Sequence, residues 1–340
     1  MMKENPVAKI PEDVIAAVKT AENIVLLTHA HPDGDALGSL FGFGNILKGI
    51  GKNVLCFLEE PVSHLYDFLP GVETVECDLG NYRRFLKDAG KNNLHIALDC
   101  GDRERLGIFC EEFLQSSPFI VIDHHQSHAS FGSNRWVESD RSSTGEMVYE
   151  LASALGAKLN YESAYCLYVA ICTDTGSFRY SCTTPRTMQV AAELLEYGVK
   201  TEEVGHHLYD NYSRERLRLM EMVLSTLNLY HNDRLAMMHV SADMLEQSGA
   251  SLQDVEGFID LPRSLRSVDV AVLIKEKSGG SIAVSLRAKG TCDVADVAKM
   301  FHGGGHRNAA GFRREGKSIA EVQSELLSVL DQTLEVGKEQ

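Results

Sequence analysis

The sequence predicts an α/β fold, in which a mostly parallel sheet with helices on both faces is joined by helices to a smaller α+β domain. Three observations lead to this prediction. The 340 residues suffice for two domains. In the first half, short apolar runs alternate with helical patterns, as they do in parallel sheets. In the second half, strand-like runs flank a glycine turn, which is typical of a hairpin.

Four apolar runs predict the strands of the first sheet. They cover residues 24–28, 53–58, 94–98 and 119–122. A helical pattern lies between the first two runs, where Gly34, Gly38 and Gly42 leave one side without bulk. We expect this side of the helix to pack closely on the sheet.

Helical patterns then dominate until the second half. They cover residues 144–155, with Ser142 or Ser143 as a cap, residues 162–171, and a long region from 186 to about 230. Strands are predicted at 235–240, 268–275 and 282–287 with a turn at 278–281, and helices at 293–301 and 319–334. The expected division is a first domain at 1–190, a helical linker at 191–232 and a second, smaller domain at 233–340.

The composition narrows the class of protein. A hydrophobic fraction of 44% and a charged fraction of 24% are ordinary for a globular chain and exclude a disordered or collagenous one. The formal net charge of −15 argues against a protein that binds long nucleic acid through its phosphates, because that mode of binding needs a basic surface. No apolar run approaches the ~18 residues of a membrane span. The eight cysteines include no Cys-x-x-Cys pair, so we expect a cytoplasmic protein with reduced thiols.

Polar residues follow three of the predicted strands. His29, Asp99 and Asp123 each stand where a strand run ends. In open parallel sheets the ligand crevice lies at the carboxyl ends of the strands. These side chains are therefore candidates for one shared site.

The residues around these ends predict a metal site. His29, Asp33 and Asp35 fall within seven residues, and Asp123 precedes His124 and His125. Such carboxylates and imidazoles are costly to bring together unless a cation neutralises them. Imidazole nitrogen with carboxylate oxygen suits Mn²⁺, Zn²⁺ or Fe²⁺. A turn with an aspartate helix cap is the alternative for the first cluster, and a solvated turn for the second.

Two further motifs complete the set. Asp174 lies in a Thr-Asp-Thr-Gly sequence, which in isolation is also typical of a turn. Residues 301–306 read Phe-His-Gly-Gly-Gly-His and follow Arg287, whose guanidinium can bind a phosphate in bidentate fashion. Consecutive glycines let a ligand approach the main chain, although a flexible linker would also contain them.

The order of these five motifs resembles the DHH/DHHA1 phosphoesterase family. The similarity is greatest to its small two-domain branch, whose members degrade nanoRNA and dephosphorylate phosphoadenosine phosphate. The resemblance implies two divalent cations, usually manganese, with magnesium as the alternative. It implies that one cation is held by His29 and Asp33, the other by Asp35, His124 and Asp174, and both by Asp99.

The resemblance also implies roles beyond the metal ligands. Asp123 and His125 join Asp99 and His124 in the catalytic set, either by orienting His124 or by touching phosphate. A cation pair would lower the pKa of a shared water and bind the phosphoryl group from both sides. The substrate would be held by Arg287, Gly304, Gly305 and His306, with Arg179 reaching the same phosphate.

The resemblance therefore implies a phosphodiesterase that hydrolyses short RNA oligonucleotides to mononucleotides and also removes the 3′-phosphate of phosphoadenosine phosphate. Short oligoribonucleotides and nucleotides are the expected partners, without long nucleic acid or a membrane, and a homodimer is left open. One alternative is a phosphodiesterase acting on pApA or cyclic di-AMP. The other is a non-catalytic nucleotide-binding module, against which the occupation of every matched ligand position argues.

Overall fold

The structure, a computed structural model, describes residues 10–90, 93–126, 128–277, 279–289 and 292–336. Side chains are described for these residues apart from 306 and 331–336. The chain forms two compact units, the first ending at Leu208 and the second beginning at Tyr209. No helix among the described residues is long and apolar enough to cross a membrane.

The first unit contains a six-stranded sheet. Its strands are β1 (Asn23–Leu27), β2 (Asn53–Phe57), β3 (Val75–Glu76), β4 (Asn93–Leu98), β5 (Phe119–Asp123) and β6 (Asn134–Val137). They are ordered β3-β2-β1-β4-β5-β6, and every neighbouring pair is parallel. The predicted parallel sheet and its four central strands are confirmed, whereas the two edge strands were not predicted.

Eight helices accompany this sheet in the described residues. They are α1 (Glu12–Thr20), α2 (Gly34–Gly49), α3 (Leu79–Ala89), α4 (Cys110–Phe113), α5 (Thr144–Leu155), α6 (Tyr161–Asp174), α7 (Pro185–Leu195) and α8 (Thr201–Tyr209). Short 3₁₀ turns lie at Val72–Thr74 and Arg103–Leu106.

Both faces of the sheet are covered, as predicted. Ile24 and Leu26 of β1 point into a core shared with α1, α2, α5 and α6. Val25 and Leu27 point into a second core shared with α3 and α4. Successive side chains of a strand alternate between faces, so a strand buried on both reads as a continuous apolar run.

The glycine-lined side of α2 faces another helix. A Cβ atom on Gly34 would lie 2.4 Å from Thr173, on Gly38 2.5 Å from the Cys166 carbonyl, and on Gly42 2.8 Å from Leu167. All three neighbours belong to α6. The expectation that this side packs on the sheet is therefore wrong. The glycines bring the backbones of α2 and α6 together, and both helices carry candidate metal ligands.

The second unit contains a mixed sheet with helices. Its strands are β7 (Asn228–Tyr230), β8 (Leu235–Val240), β9 (Val270–Glu276), β10 (Ile282–Ala288), β11 (Gly304–His306) and β12 (Ala309–Arg314), ordered β11-β12-β10-β9-β8-β7. Its helices are α9 (Arg214–Leu224), α10 (Ala242–Ser248), α11 (Asp260–Ser264), α12 (Val294–Met300) and α13 (Ile319–Val336), with a 3₁₀ turn at Leu252–Val255. The predicted α+β character is confirmed.

One detail differs from the sequence prediction. The helical region expected to reach residue 230 ends at Leu224, because Asn228–Tyr230 pairs with β8 as an edge strand. The strands at 268–275 and 282–287 do form an antiparallel pair, β9 with β10. Residue 278 of the predicted turn lies outside the described residues.

Candidate metal centre

The predicted site lies where the strand order of the first sheet reverses direction. Strands β1 and β4 are neighbours, and the chain adds strands outward from each. The loops that leave two such strands diverge, and this divergence opens a crevice at their carboxyl ends. His29 follows β1, Asp99 follows β4, and Asp123 ends β5. All three side chains are buried at this edge.

One donor set consists of His29, Asp33 and Asp99. The Nε2 atom of His29 lies 3.5 Å from Asp99 Oδ2 and 4.0 Å from Asp33 Oδ1. Its Nδ1 atom is 3.0 Å from the Ala30 carbonyl, which sets the orientation of the ring. Nε2 is buried and has no hydrogen-bond partner among the described residues. An orphaned imidazole nitrogen between two carboxylates fits a cation ligand.

The second donor set consists of Asp35, His124 and Asp174, again next to Asp99. The Nε2 atom of His124 lies 3.4 Å from Asp174, 3.5 Å from Asp99 and 3.6 Å from Asp35. Its Nδ1 atom is 3.3 Å from the carbonyl oxygen of Arg141, which favours the tautomer that leaves Nε2 as an acceptor. Asp99 thus contacts both donor sets through different oxygens.

The first turn of α5 fixes two of these carboxylates. The backbone N–H of Thr144 donates to Asp35 over 2.7 Å, and that of Gly145 donates over 2.9 Å. The Thr144 hydroxyl donates to Asp99 over 3.1 Å, and Ser143 caps the helix. The free N–H groups of a helix start bind a carboxylate well. Sequence reasoning identified the cap but not these contacts, because they join residues 45 to 110 positions apart in the chain.

The electrostatics of the cluster also fit a cation. Burial, and then the charges of Asp99, Asp174 and Asp33, raise the pKa of Asp35 well above its usual value. Four carboxylates crowd into one crevice with two imidazoles whose Nε2 atoms face them. Divalent cations would neutralise this repulsion, and mixed nitrogen and oxygen donors suit Mn²⁺.

Asp123 organises the other histidines. It accepts hydrogen bonds from His125 Nδ1 over 2.6 Å and from His128 Nδ1 over 2.7 Å. Burial alone would raise the pKa of Asp123, but these two bonds outweigh it and hold the pKa well below the usual value. His125 Nδ1 also lies 3.6 Å from Asp99. His128 was not singled out from the sequence, where its only signal is a third histidine in the loop after β5.

The predicted substrate residues lie in both units. Arg179 is exposed in the turn after Asp174, where its Nε donates to the Gly176 carbonyl. In the second unit, Arg287 is half-buried on β10 and pairs with Ala309 of β12. Gly304 and Gly305 belong to β11, and a Cβ atom on Gly305 would lie 2.4 Å from the Ala309 carbonyl. The side chain of His306 lies outside the described part of the structure.

A parallel sheet whose strand ends gather two such donor sets defines a class of protein, the metal-dependent hydrolases. Comparison with known proteins specifies the family. Residues 23–171 match the DHH family N-terminal domain, and residues 234–336 match the DHHA1 domain. The chain belongs to the DHH phosphoesterase family. It is a metal-dependent phosphoesterase, and not the non-catalytic module that the sequence left open.

Several relatives resemble the chain over most of its length. It is 32% identical to the bifunctional oligoribonuclease and PAP phosphatase NrnA of Thermus thermophilus, covering 96% of this chain and 94% of that protein. It is 26% identical to the NrnA of Bacillus subtilis, covering 88% and 91%. The crystal structure of an exopolyphosphatase-related protein from Bacteroides fragilis superposes with a TM-score of 0.83 at 28% identity, covering 95% of this chain and 94% of that one.

Proposed function

We propose that the protein hydrolyses short oligoribonucleotides to mononucleotides and removes the 3′-phosphate of phosphoadenosine phosphate. The support is the similarity to two relatives that carry both activities in their names. The observation that carries the proposal is the pair of donor sets sharing Asp99. This arrangement suits an attack on phosphorus, since a phosphoryl group needs charge neutralised on both the entering and the leaving oxygen.

We further propose manganese as the cofactor, with His29, Asp33 and Asp99 at one position and Asp35, Asp99, His124 and Asp174 at the other. When bound, such a pair supplies an activated water and electrophilic contacts to the phosphoryl oxygens. The remaining residues act through orientation. Arg141 and the first turn of α5 hold ligands in place, while Asp123 fixes His125, which contacts the phosphate.

We propose the same division of labour between the domains that the sequence and its resemblance imply. Residues 1–190 carry the catalytic centre, 191–232 connect the parts, and 233–340 recognise the nucleotide through Arg287, Gly304, Gly305 and His306. Arg179 adds a cation in the turn that follows Asp174. Water adds to phosphorus and the bond from phosphorus to the 3′-oxygen breaks. One product is the nucleoside with a free 3′-hydroxyl. The other product keeps the phosphate, to which the oxygen of the water is now bonded.

A hydrolysis panel with added Mn²⁺ tests the proposal. The substrates are RNA dimers to pentamers, pApA, phosphoadenosine phosphate, cyclic di-AMP and pyrophosphate. Asp99→Ala should abolish turnover of every substrate, because one carboxylate serves both donor sets. The matched control is Asp78→Ala, which removes the cap of α3 and should cost about 1 kcal/mol of stability while leaving turnover intact.

The outcomes separate the candidates. Rapid turnover of RNA dimers and slow turnover of cyclic di-AMP would support the proposal. Turnover of cyclic di-AMP or pyrophosphate alone would overturn it. Retained turnover in Asp99→Ala would contradict the assignment of the shared carboxylate.

A further inference from the structure

A groove lies next to the metal centre at the edge of the first sheet. It is bordered by both Arg135 of β6 and His125, whose Nδ1 atom is 3.6 Å from Asp99. Its volume is about 450 Å³, which falls within the range of sites that hold small ligands. Apart from Val137, the described residues that line it are polar. Such a lining suits a ligand rich in hydrogen-bonding groups.

The groove is open because β6 is an edge strand with one uncovered face. Arg135 of β6 pairs with Val121 of β5, and two residues on Val137 pairs with Asp123, so these four side chains share a face of the sheet. Trp136 points to the opposite face and is buried in the core there. On the first face, the core with α3 and α4 includes Val121 but no described residue of β6. Arg135 is therefore exposed beside the groove.

The wall next to the metal centre is held in place by hydrogen bonds. Asp123, itself buried, accepts one from His125 and one from His128, and both histidines line the groove. The backbone N–H of Ala129 donates to the Gly101 carbonyl over 2.7 Å, which ties the loop after β5 to the loop after β4. A wall that is already ordered binds a ligand at a smaller entropic cost.

Arg135 supplies a positive charge beside this polar groove. Among the described residues, no carboxylate lies within 4.0 Å of its side chain. Other arginines of the first unit are paired, as Arg83 is with Glu112 and Arg141 with Glu150. An exposed arginine is ordinary in isolation. Beside a groove that also borders His125, however, its guanidinium is placed to bind a phosphate through two hydrogen bonds.

We propose that the groove binds the part of an oligonucleotide that follows the scissile phosphate, with Arg135 bound to the next phosphate of the chain. This inference rests on the proposed function, in which His125 contacts the scissile phosphate. There the second unit recognises the nucleoside on the 5′ side of that phosphate. The rest of the substrate needs its own path from the same phosphate, and the groove at His125 provides one.

The three smallest substrates then differ in how they use the groove. Phosphoadenosine phosphate has nothing beyond its 3′-phosphate and leaves the groove empty. The dinucleotide pApA places a nucleoside there but has no further phosphate. The trinucleotide pApApA has both, so Arg135 acts on this substrate and not on the other two.

Steady-state kinetics of the manganese-loaded enzyme with these three substrates test the assignment. The variant is Arg135→Met, which removes the charge and keeps an extended side chain. The KM for pApApA should rise about threefold to tenfold, between the effects of losing an exposed ion pair and a charge-assisted hydrogen bond, with kcat within about twofold. The KM values for pApA and phosphoadenosine phosphate should not change. An equal rise for all three substrates, or no rise for pApApA, would overturn the assignment.

The salt dependence gives a readout that a structural role would not move. The slope of log KM against log salt concentration should fall by about 0.7 for pApApA in Arg135→Met, the value for one phosphate contact of a single strand. Arg135→Lys retains the charge and should keep the slope of the wild type. The control is Arg84→Met on α3, which removes an exposed arginine away from the groove and should leave every slope unchanged. If Arg135→Lys lost the slope as Arg135→Met does, or Arg84→Met also lost it, the specific phosphate contact would be wrong.

Failure of this inference is distinct from failure of the proposed function. If the wild type cleaves pApA and pApApA but Arg135→Met changes neither, the groove assignment is wrong and the function stands. If the wild type cleaves neither, the function fails, and calorimetric titration of the manganese-loaded protein with pApApA decides the groove. A threefold to tenfold weaker affinity in Arg135→Met, about the range expected for KM, would then support the groove, and equal affinity would overturn it.

Discussion

Replacing Gly38 by alanine should separate the helices that carry opposite sides of the metal centre. A Cβ atom there would lie 2.5 Å from the Cys166 carbonyl oxygen and 2.9 Å from the Ala170 Cβ atom. Ordinary contact begins at 3.4 Å, so α2 and α6 must move apart by about 0.9 Å. Both close neighbours are parts of α6 that cannot rotate away. The shift displaces Asp35 on α2 relative to Asp174 on α6.

Two opposing effects set the magnitude for Gly38→Ala. Alanine favours a helix over glycine by about 1 kcal/mol. Overpacking of a dense interior costs about 1–3 kcal/mol, and a clash with backbone belongs at the upper end. We therefore expect a net loss of about 2 kcal/mol. The control is Gly49→Ala in the same helix, where a Cβ atom meets nothing within 4 Å and the change should add about 0.5–1 kcal/mol.

Scanning calorimetry and manganese titration measure both consequences. A loss of 2 kcal/mol should lower the melting temperature of the first unit by about 4–8 °C. The affinity for Mn²⁺ should fall at least tenfold in Gly38→Ala and stay unchanged in Gly49→Ala, because a metal site tolerates displacements of only about 0.5 Å. If Gly38→Ala were as stable as Gly49→Ala and bound Mn²⁺ normally, the packing argument would be refuted.

Three other predictions concern stability and metal binding. Burial lowers the pKa of His95 from 6.5 to about 4, so the unfolded chain binds a proton that the native chain does not within this window. The free energy of unfolding should therefore fall as the pH drops from 6.5 to 4, by up to about 1.4 kcal/mol per pH unit. In His95→Phe, urea melts recorded across this pH range should show a smaller change of that free energy with pH. An equal change in both proteins would refute the assignment. Ser143→Ala removes the cap of α5 and should cost about 1 kcal/mol in urea melts while weakening Mn²⁺ binding; unchanged affinity would contradict the role of that helix start. Chelation should lower the melting temperature by the equivalent of about 2.7 kcal/mol at a metal concentration 100 times Kd, whereas Asp99→Asn should melt at one temperature with or without metal.

The central strands could be predicted from the sequence because they are buried on both faces and read as apolar runs. The edge strands were not predicted because they are short, as in the two residues of β3, or polar, as in Asn134–Val137. The glycine side of α2 was visible as a pattern, but periodicity does not say whether a sheet or α6 lies against it. Likewise, the residues of the donor sets stood out at strand ends, whereas the contacts of Thr144 depend on a distant helix start.

The backbone conformation at Asp99 limits which residue types can occupy this position. Its φ is +55°, a left-handed conformation at the end of β4. Aspartate and asparagine adopt it more readily than other residues with side chains, and β-branched residues resist it strongly. Exchange of the carboxylate for an amide at this one position should leave the chain path undisturbed, which makes Asp99→Asn a cleaner probe of charge than alanine. The same geometry disfavours threonine or valine there before any chemistry is considered.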